Sequence, residues 1–346
     1  MNPLVSILIP AYNAEEWISD TIRSALAQTW SNKEIIVVDD GSRDRTLEIA
    51  RSFASSQVAV LTQPNQGAAA ARNKAYSLSH GEYIQWLDAD DLMSPNKIAS
   101  QMNEAETFGL DTLLSCGWAF FMYRPRRARF LPTPLWEDLT PVEYLLRKMG
   151  QCFHMQPATW LVSRKLSAAA GPWNTRLSLD DDGEYFCRVV MASQRIRFVP
   201  QAKVFYRMSG YGSLSKVDGS QKKLESLLLS MRLHVGYLLS LEDSPRVRSA
   251  CLSYLRGWLP YFYPAFPQMV AQIEDLARSL GGQISAPALR WKYAWMEQFC
   301  GYDGARRAQH LFPMIKTQLA RNWDKMLYHF ERCVKAKKDY DPTFAS

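Results

Sequence analysis

No run of about 18 apolar residues occurs in the 346-residue chain, so no membrane-spanning helix is expected. There is no Cys-x-x-Cys pair either. Cys116, Cys152, Cys187, Cys251, Cys300 and Cys333 stand singly, which argues against a zinc ribbon or a disulfide scaffold and fits reduced, buried thiols in a cytosol. The opening, MNPLVSILIPAYN, lacks the basic start and small-residue cleavage site of a signal peptide. Neither Gly-x-Gly-x-x-Gly nor Gly-x-x-x-x-Gly-Lys-Ser/Thr appears, so the dinucleotide fingerprint and the P-loop are both missing. Internal repeats and low-complexity segments are absent too.

What is present is an ordinary globular composition, 47% hydrophobic and 22% charged, with ample material for a core. The net charge of +7 is unevenly spread. Residues 1–100 sum to −4 and residues 220–346 to +7, so the C-terminal third is either a solvated helical surface or one that faces a polyanion or anionic membrane. Short continuous apolar runs at 4–9, 34–38, 58–62 and 83–87 alternate with helix-like segments at 14–28, 44–52 and 68–78. That alternation predicts βαβ units and a mainly parallel sheet flanked by helices. Residues 156–162 read as a further strand and 196–206 as a strand pair, while from about 220 the sequence turns helical and aromatic. A catalytic domain over 1–218, split into a nucleotide-binding half (1–100) and an acceptor half (101–218), is expected to precede a helical region at 219–346.

In parallel sheets ligands collect at the carboxyl ends of the strands, and the distinctive polar residues fall there. Asp88-Ala89-Asp90-Asp91 closes the fourth run; its paired carboxylates suit a hard cation, Mg²⁺ or Mn²⁺, shared with a diphosphate, or else they cap the next helix. Asp39 ends the second run and suits a nucleobase or ribose, with Asp40-Gly41 as a turn. Gly67 opens a small-residue helix that carries Arg72 one turn in, able to meet a nucleotide or to order the acids. The last cluster, Asp180-Asp181-Asp182-Gly183-Glu184, holds more acid than helix capping explains, and a carboxylate there suits a general base.

Three stretches, SILIPAYNAEEWISDTIRSALAQTW, EIIVVDDGSRDRT and NQGAAAARNKAYSLSHGEYIQWLDADD, and more loosely DDDGEYFCRV, together resemble the family 2 glycosyltransferases of GT-A fold. The first three cover residues 6–91 almost continuously. The resemblance implies an inverting transfer from a nucleotide-sugar, typically a UDP-sugar, to a glycan or lipid-linked acceptor in polysaccharide assembly. Pro10, Tyr12, Asn13, Asp39, Gly67, Arg72, Asp88, Ala89 and Asp90 would form the nucleotide site, with Asp90 and Asp88 toward the metal. Asp182, with Asp181 as alternate, stands where the family has Glu-Asp and would be the base. A loop bearing Arg207, Ser213 and Ser215 would close on the diphosphate, and His154 and Trp160 would meet acceptor or sugar.

The basic aromatic tail, 219–346, suggests either a helical subdomain packed on the catalytic core or on a second copy in a homodimer, or peripheral contact at the inner face of a cell membrane. A nucleic-acid partner is not expected. Two competing readings stand beside transfer: a nucleotidyltransferase, and a non-catalytic nucleotide-sugar-binding protein of the same fold.

Overall fold

A computed structural model describes residues 2–208, 220–289 and 291–339. Its N-terminal part runs β1 (Val5–Ala11), α1 (Ile18–Leu26), β2 (Lys33–Asp39), α2 (Thr46–Arg51), β3 (Val58–Thr62), α3 (Ala68–Ser77) and β4 (Tyr83–Trp86). There follow β5 (Leu92–Met93), α4 (Lys97–Phe108), β6 (Thr112–Phe121), α5 (Pro141–Gln151), β7 (Val162–Ser163), α6 (Arg164–Ala170), α7 (Asp181–Ala192) and β8 (Arg195–Arg207). The rest is helical: α8 (Gln221–Leu241), α9 (Pro245–Trp258), α10 (Pro267–Ser279), α11 (Trp291–Ala294) and α12 (Glu297–Asp339), the last bent at Gly301.

The main sheet has strand order β3-β2-β1-β4-β7, parallel except for β7. Every residue of β1 is buried, as a strand covered on both faces requires, and α1 packs Ile18, Ile22 and Ala25 inward. The strand order reverses between β1 and β4, so the crevice beyond their carboxyl ends is where a ligand belongs. Pro10 explains how that crevice opens. Leu4 and Leu8 turn their carbonyls to the β4 side, where they accept from Tyr83 and Leu87; Pro10 follows in the same register and has no N–H to offer. Pairing of β1 with β4 accordingly stops at Leu8–Trp86, while pairing with β2 runs on to Ala11–Asp39.

A second sheet, β5-β8-β6, packs beside the first. Here the expected strand pair at 196–206 is one long strand, β8, paired in parallel with β6 through an irregularity at Cys116–Gly117. The strand expected at 156–162 is mostly a 3₁₀ turn at Pro157–Thr159, with only Val162 and Ser163 in β7. Gln156-Pro157 supports the turn, because proline fixes φ and supplies no ladder donor. Among the described residues Cys116, Cys152, Cys187, Cys251 and Cys300 are free thiols, and no helix is long and apolar enough to cross a membrane.

Candidate active site

At the end of β2 two adjacent aspartates do different work. Asp40 is a clamp: its carboxylate accepts from Gln63 Nε2 (2.8 Å), Gln66 N (3.0 Å) and Gly67 N (2.8 Å), folding residues 63–67 back into α3. Asp39 is 1% exposed; its Oδ2 accepts from Ser42 N and Thr62 Oγ1, each at 3.2 Å, while its buried Oδ1 has no donor among the described residues. A buried carboxylate oxygen without a donor is costly, and sites that await a ligand are where such groups are tolerated. Gly67 starts α3 at φ 92° with open space before its Cα, so backbone there can lie close to a ligand. Across the crevice Tyr12 is half exposed, and Asn13 (φ 48°) accepts from Arg43 N and donates its own N–H to Ser42 Oγ, tying the β1 and β2 loops together.

The loop after β4 separates its acids by depth. Asp91 is wholly buried; Oδ1 accepts from Arg207 N (2.9 Å), Oδ2 has no donor among the described residues, and burial, then Asp90 and Asp88, push its pKa well up. Arg207 lies beneath the loop, where it donates to the carbonyls of Asp90 (2.7 Å) and Met122 (3.1 Å) between the rings of Trp17 and Phe121. Thr21 Oγ1 holds the carbonyls of Ala89 (2.9 Å) and Asp91 (3.0 Å) from α1. Asp88 and Asp90 remain half-buried at the rim.

Arg72, 6% exposed, joins this rim to a second acidic region. Nη2 donates to Asp88 Oδ1 (2.8 Å) and Nη1 to Asp181 Oδ2 (2.7 Å), with the guanidinium lying 4.3 Å from the centre of the Trp173 ring. Trp173 in turn stacks on Tyr185 at 4.1 Å, and Trp160 stacks on Phe186, so the first turn of α7 is anchored by aromatic faces. The four acids there then sort themselves. Asp181 is taken by Arg72. Glu184 is held by Arg188 (2.8 and 2.9 Å) and Tyr237 Oη (2.7 Å). Asp180, at φ 59°, folds its carboxylate back over α7, where a Cβ at Gly183 would collide with it, and accepts from Ser230 Oγ of α8. Asp182 lines a cleft with Tyr144, Lys148, His154 and Trp160, and Asp180 lines it too but is engaged by Ser230.

Burial first, then repulsion from Asp180 against attraction to Arg72, lifts Asp182 to about 6. Burial also lifts Asp181 to about 6, against the pull of Arg72. Burial would lower Lys148, but Cys187, Asp180 and Asp182 around it raise it above the ordinary lysine range. His154 is pulled down by burial and then by Lys148.

Support for this region comes from far along the chain. Ser226 Oγ accepts from Ser178 N (2.9 Å) and Leu179 N (3.0 Å) and donates to Leu179 O (3.0 Å). One turn on, Ser230 meets Asp180; one further, the buried His234 lies 3.7 Å from Asp180 Oδ2 and 2.6 Å from Tyr254 Oη of α9. Ser226, Ser230 and His234 form an i, i+4, i+8 polar row on α8.

Sequence reasoning missed Lys148, Trp173 and this row. An alternation of Ser, Ser and His at four-residue spacing was the only available signal. Ser213 and Ser215 lie outside the described residues. Among the described residues no three His, Cys, Asp or Glu converge to hold an ion unaided. Mg²⁺ and Mn²⁺ use one or two carboxylates and complete their shells from water and phosphate, and the hard oxygens of half-buried Asp88 and Asp90 fit that donor set.

Residues 6–169 match the model for Glycosyl transferase family 2. EpsJ, an uncharacterized glycosyltransferase of Bacillus subtilis, is 39% identical over 215 residues, 60% of this chain and 62% of that one. S. aureus TarS 1–349 in complex with UDP-GlcNAc superposes with TM-score 0.62 at 16% identity, covering 89% of this chain and 91% of that one. The mannosyltransferase PcManGT from Pyrobaculum calidifontis, in complex with GDP-Man and Mn²⁺, gives 0.56 at 19% identity, covering 94% and 88%. At such identities these structures establish the fold, which is of GT-A type. The chain spans between 37% and 62% of the length of three of the curated relatives it matches. Its strand-end acids and its parallel sheet agree with that match, which places residues 6–169, just under half of the chain, within the span of the Glycosyl transferase family 2 model.

Proposed function

We propose that the protein transfers a sugar, with inversion, from a nucleoside-diphosphate sugar to an acceptor hydroxyl on a glycan or lipid-linked saccharide. The observation that carries this is Arg72, whose two ion pairs hold the rim acid Asp88 and the neighbour of Asp182 on one guanidinium. A donor bound at the rim therefore has a carboxylate within reach on its far side. Residues 1–218 are assigned as the catalytic domain, with 101–218 shaping the acceptor side and 219–346 as helical support. A UDP-sugar is the preferred donor, supported by the UDP-GlcNAc complex of TarS.

Asp39 Oδ1 is assigned to a base or ribose donor, which would satisfy an oxygen otherwise buried alone. Tyr12, Asn13 and Gly67 wall the nucleotide pocket, and Pro10 keeps the β1–β4 gap open for it. Asp88 and Asp90 are the carboxylates that would hold Mn²⁺ or Mg²⁺, which when bound neutralises charge on the departing diphosphate. Asp182 takes the proton of the acceptor hydroxyl. The acceptor oxygen bonds to the anomeric carbon as the carbon–oxygen bond to the diphosphate breaks, and its electron pair leaves with the diphosphate. A carboxylate raised to about 6 is ionised at neutral pH yet basic enough for this role. Lys148 and His154 are assigned to the acceptor side of the cleft, with Trp160, 0% exposed and stacked on Phe186, as its core backing rather than a sugar contact. The work site is cytoplasmic, at the inner face of a membrane where a lipid-linked acceptor would be found.

The test is release of free UDP from UDP-glucose or UDP-N-acetylglucosamine with Mn²⁺, alongside thermal shifts with UDP, GDP and dTDP. Stabilisation by one nucleotide and slow donor hydrolysis are expected. Pyrophosphate release instead would mark a nucleotidyltransferase, and binding with no donor cleavage, even when diverse saccharide acceptors are supplied, a non-catalytic binder.

A further inference from the structure

The long helix α12 is amphipathic the wrong way round. Its charged side faces the protein: Asp324 accepts from Tyr123 N (2.9 Å) and Arg124 Nε (2.7 Å), and Glu331 accepts from Arg124 Nη1 (3.0 Å) and pairs with Arg126. Lys325 reaches Glu16 (3.4 Å), and the Tyr328 and Tyr123 rings lie 5.8 Å apart. On the opposite side Ile315, Leu319, Trp323, Met326 and Phe330 are all exposed, three of them by more than 60%. Their spacings of four, four, three and four residues hold them on one face of a 3.6-residue helix, in a stripe about 23 Å long. Trp291, Trp295 and Phe299, just before the bend, are exposed by 81%, 61% and 81%. A monomer does not leave so large an apolar surface to water without use for it.

We propose that this stripe docks on an anionic lipid surface. Residues 291–339 carry ten Lys/Arg against five Asp/Glu; two of those acids, Asp324 and Glu331, are matched by arginines of the catalytic domain, and one of the bases, Lys325, by Glu16. The arm is thus strongly positive, with Trp and Phe as its large exposed groups. That pairing suits the boundary of an anionic bilayer, where aromatic rings sit at headgroup level and each basic residue adds attraction. A second copy fits less well, because a two-fold contact would set two positive arms side by side.

The place of docking is also informative. The inner face of α12 rests on Tyr123, whose ring is 5.2 Å from Trp17, and Trp17 underlies Arg207 and the Asp90 loop. A surface bound to the stripe would therefore lie beside the rim where the acids gather. Lipid docking itself does not depend on sugar transfer, so the two stand or fall separately.

The experiment is co-sedimentation of the full chain with vesicles of phosphatidylcholine alone and of phosphatidylcholine mixed with phosphatidylglycerol, with no nucleotide present. Binding to the mixed vesicles at low salt is expected, lost as salt rises. The double variant Trp323→Ser/Phe330→Ser is expected to bind about tenfold less while melting as the parent does, since both side chains lie in solvent. Failure of the parent to bind mixed vesicles, or equal binding by the double variant, overturns the proposal. So does a dimer in light scattering that the double variant dissociates, which would give the stripe to a second copy.

Discussion

The two acidic regions of the site are built by different means. At the sheet rim the acids sit at strand ends and in the turns that follow, with Arg72 on Asp88 and Arg207 on Asp91 as the distant partners. Asp40, for instance, collects three donors from residues 63–67, the loop that directly follows the neighbouring strand. At the start of α7 the acids are placed by side chains far away: Ser226, Ser230 and His234 from α8, Tyr254 from α9 and Arg72 from α3. Strand ends set most of the first region, helped by Thr21, Arg72 and Arg207, and a buried polar network sets the second. A network is sensitive to single deletions in a way that a strand end is not, because each lost partner leaves another group buried and unpaired. Substitutions in the second region should therefore reach the chemistry from a distance.

The largest effect expected is at the base itself. Asp182→Asn keeps the shape of the cleft but removes the proton acceptor, so turnover should fall by about 100- to 10,000-fold with donor binding intact. Steady-state rates paired with UDP calorimetry measure both. Asp181→Asn is the contrast, since Asp181 is committed to Arg72. If it loses turnover as heavily while Asp182→Asn does not, the two roles are exchanged.

Next in size is Arg72→Met, which removes the group shared by both regions. Asp88 and Asp181 would lose their common cation, and breaking a buried pair costs about 3 kcal/mol or more. A large fall in melting temperature is expected, partly recovered in Arg72→Met/Asp181→Asn, where the stranded charge on α7 is also gone. No recovery would mean that Arg72 acts mainly through its stack on Trp173.

This difference in construction also decides how much was legible. Continuous apolar runs ending in Pro10, Asp39 and Leu87 reported the parallel sheet and its rim, because period and turn chemistry are local properties. The long strand β8 looks like two in the sequence, since Pro200 and Gln201 interrupt its pattern while its pairing with β6 continues beyond them. The acidic cluster at 180–184 was visible, but which acid of the cleft is left without a committed partner was not. That choice rests on Arg188, Tyr237, Ser230 and Arg72 each taking a neighbour, and contacts up to 109 residues apart leave no periodic trace.

A smaller effect, and a sharper test of the network, is expected from Ser230→Ala. The Ser230 hydroxyl helps keep Asp180 ionised against burial, and Asp180 in turn raises Asp182. Without the hydroxyl Asp180 holds its proton to higher pH, repels Asp182 less, and lets the base ionise earlier. The acidic limb of kcat/KM, centred near 6 in the parent, should move to lower pH. A role confined to packing would lower the rate at every pH and leave that limb in place.

The smallest effect is on stability, and its sign follows from the same shift. Asp182 is lifted from 3.8 to about 6 by folding, so between about pH 4 and 6 the folded chain retains a proton that the unfolded chain has released. This contribution is fully present below pH 4, is lost as pH rises through 6, and is flat above that. His234 works in the opposite direction: burial, and then Lys148, depress it to about 3, so the stability it contributes is present above about 6.5 and is lost as pH falls toward 3. The two slopes oppose each other across the shared window. Asp181, also lifted to about 6, opposes the histidine too, so denaturant titrations of Asp182→Asn should uncover only part of the histidine's slope, with stability falling more steeply on acidification than in the parent. A curve parallel to the parent's would mean that Asp182 titrates alike in both states, and the raised base on which the activity profile depends would be lost with it.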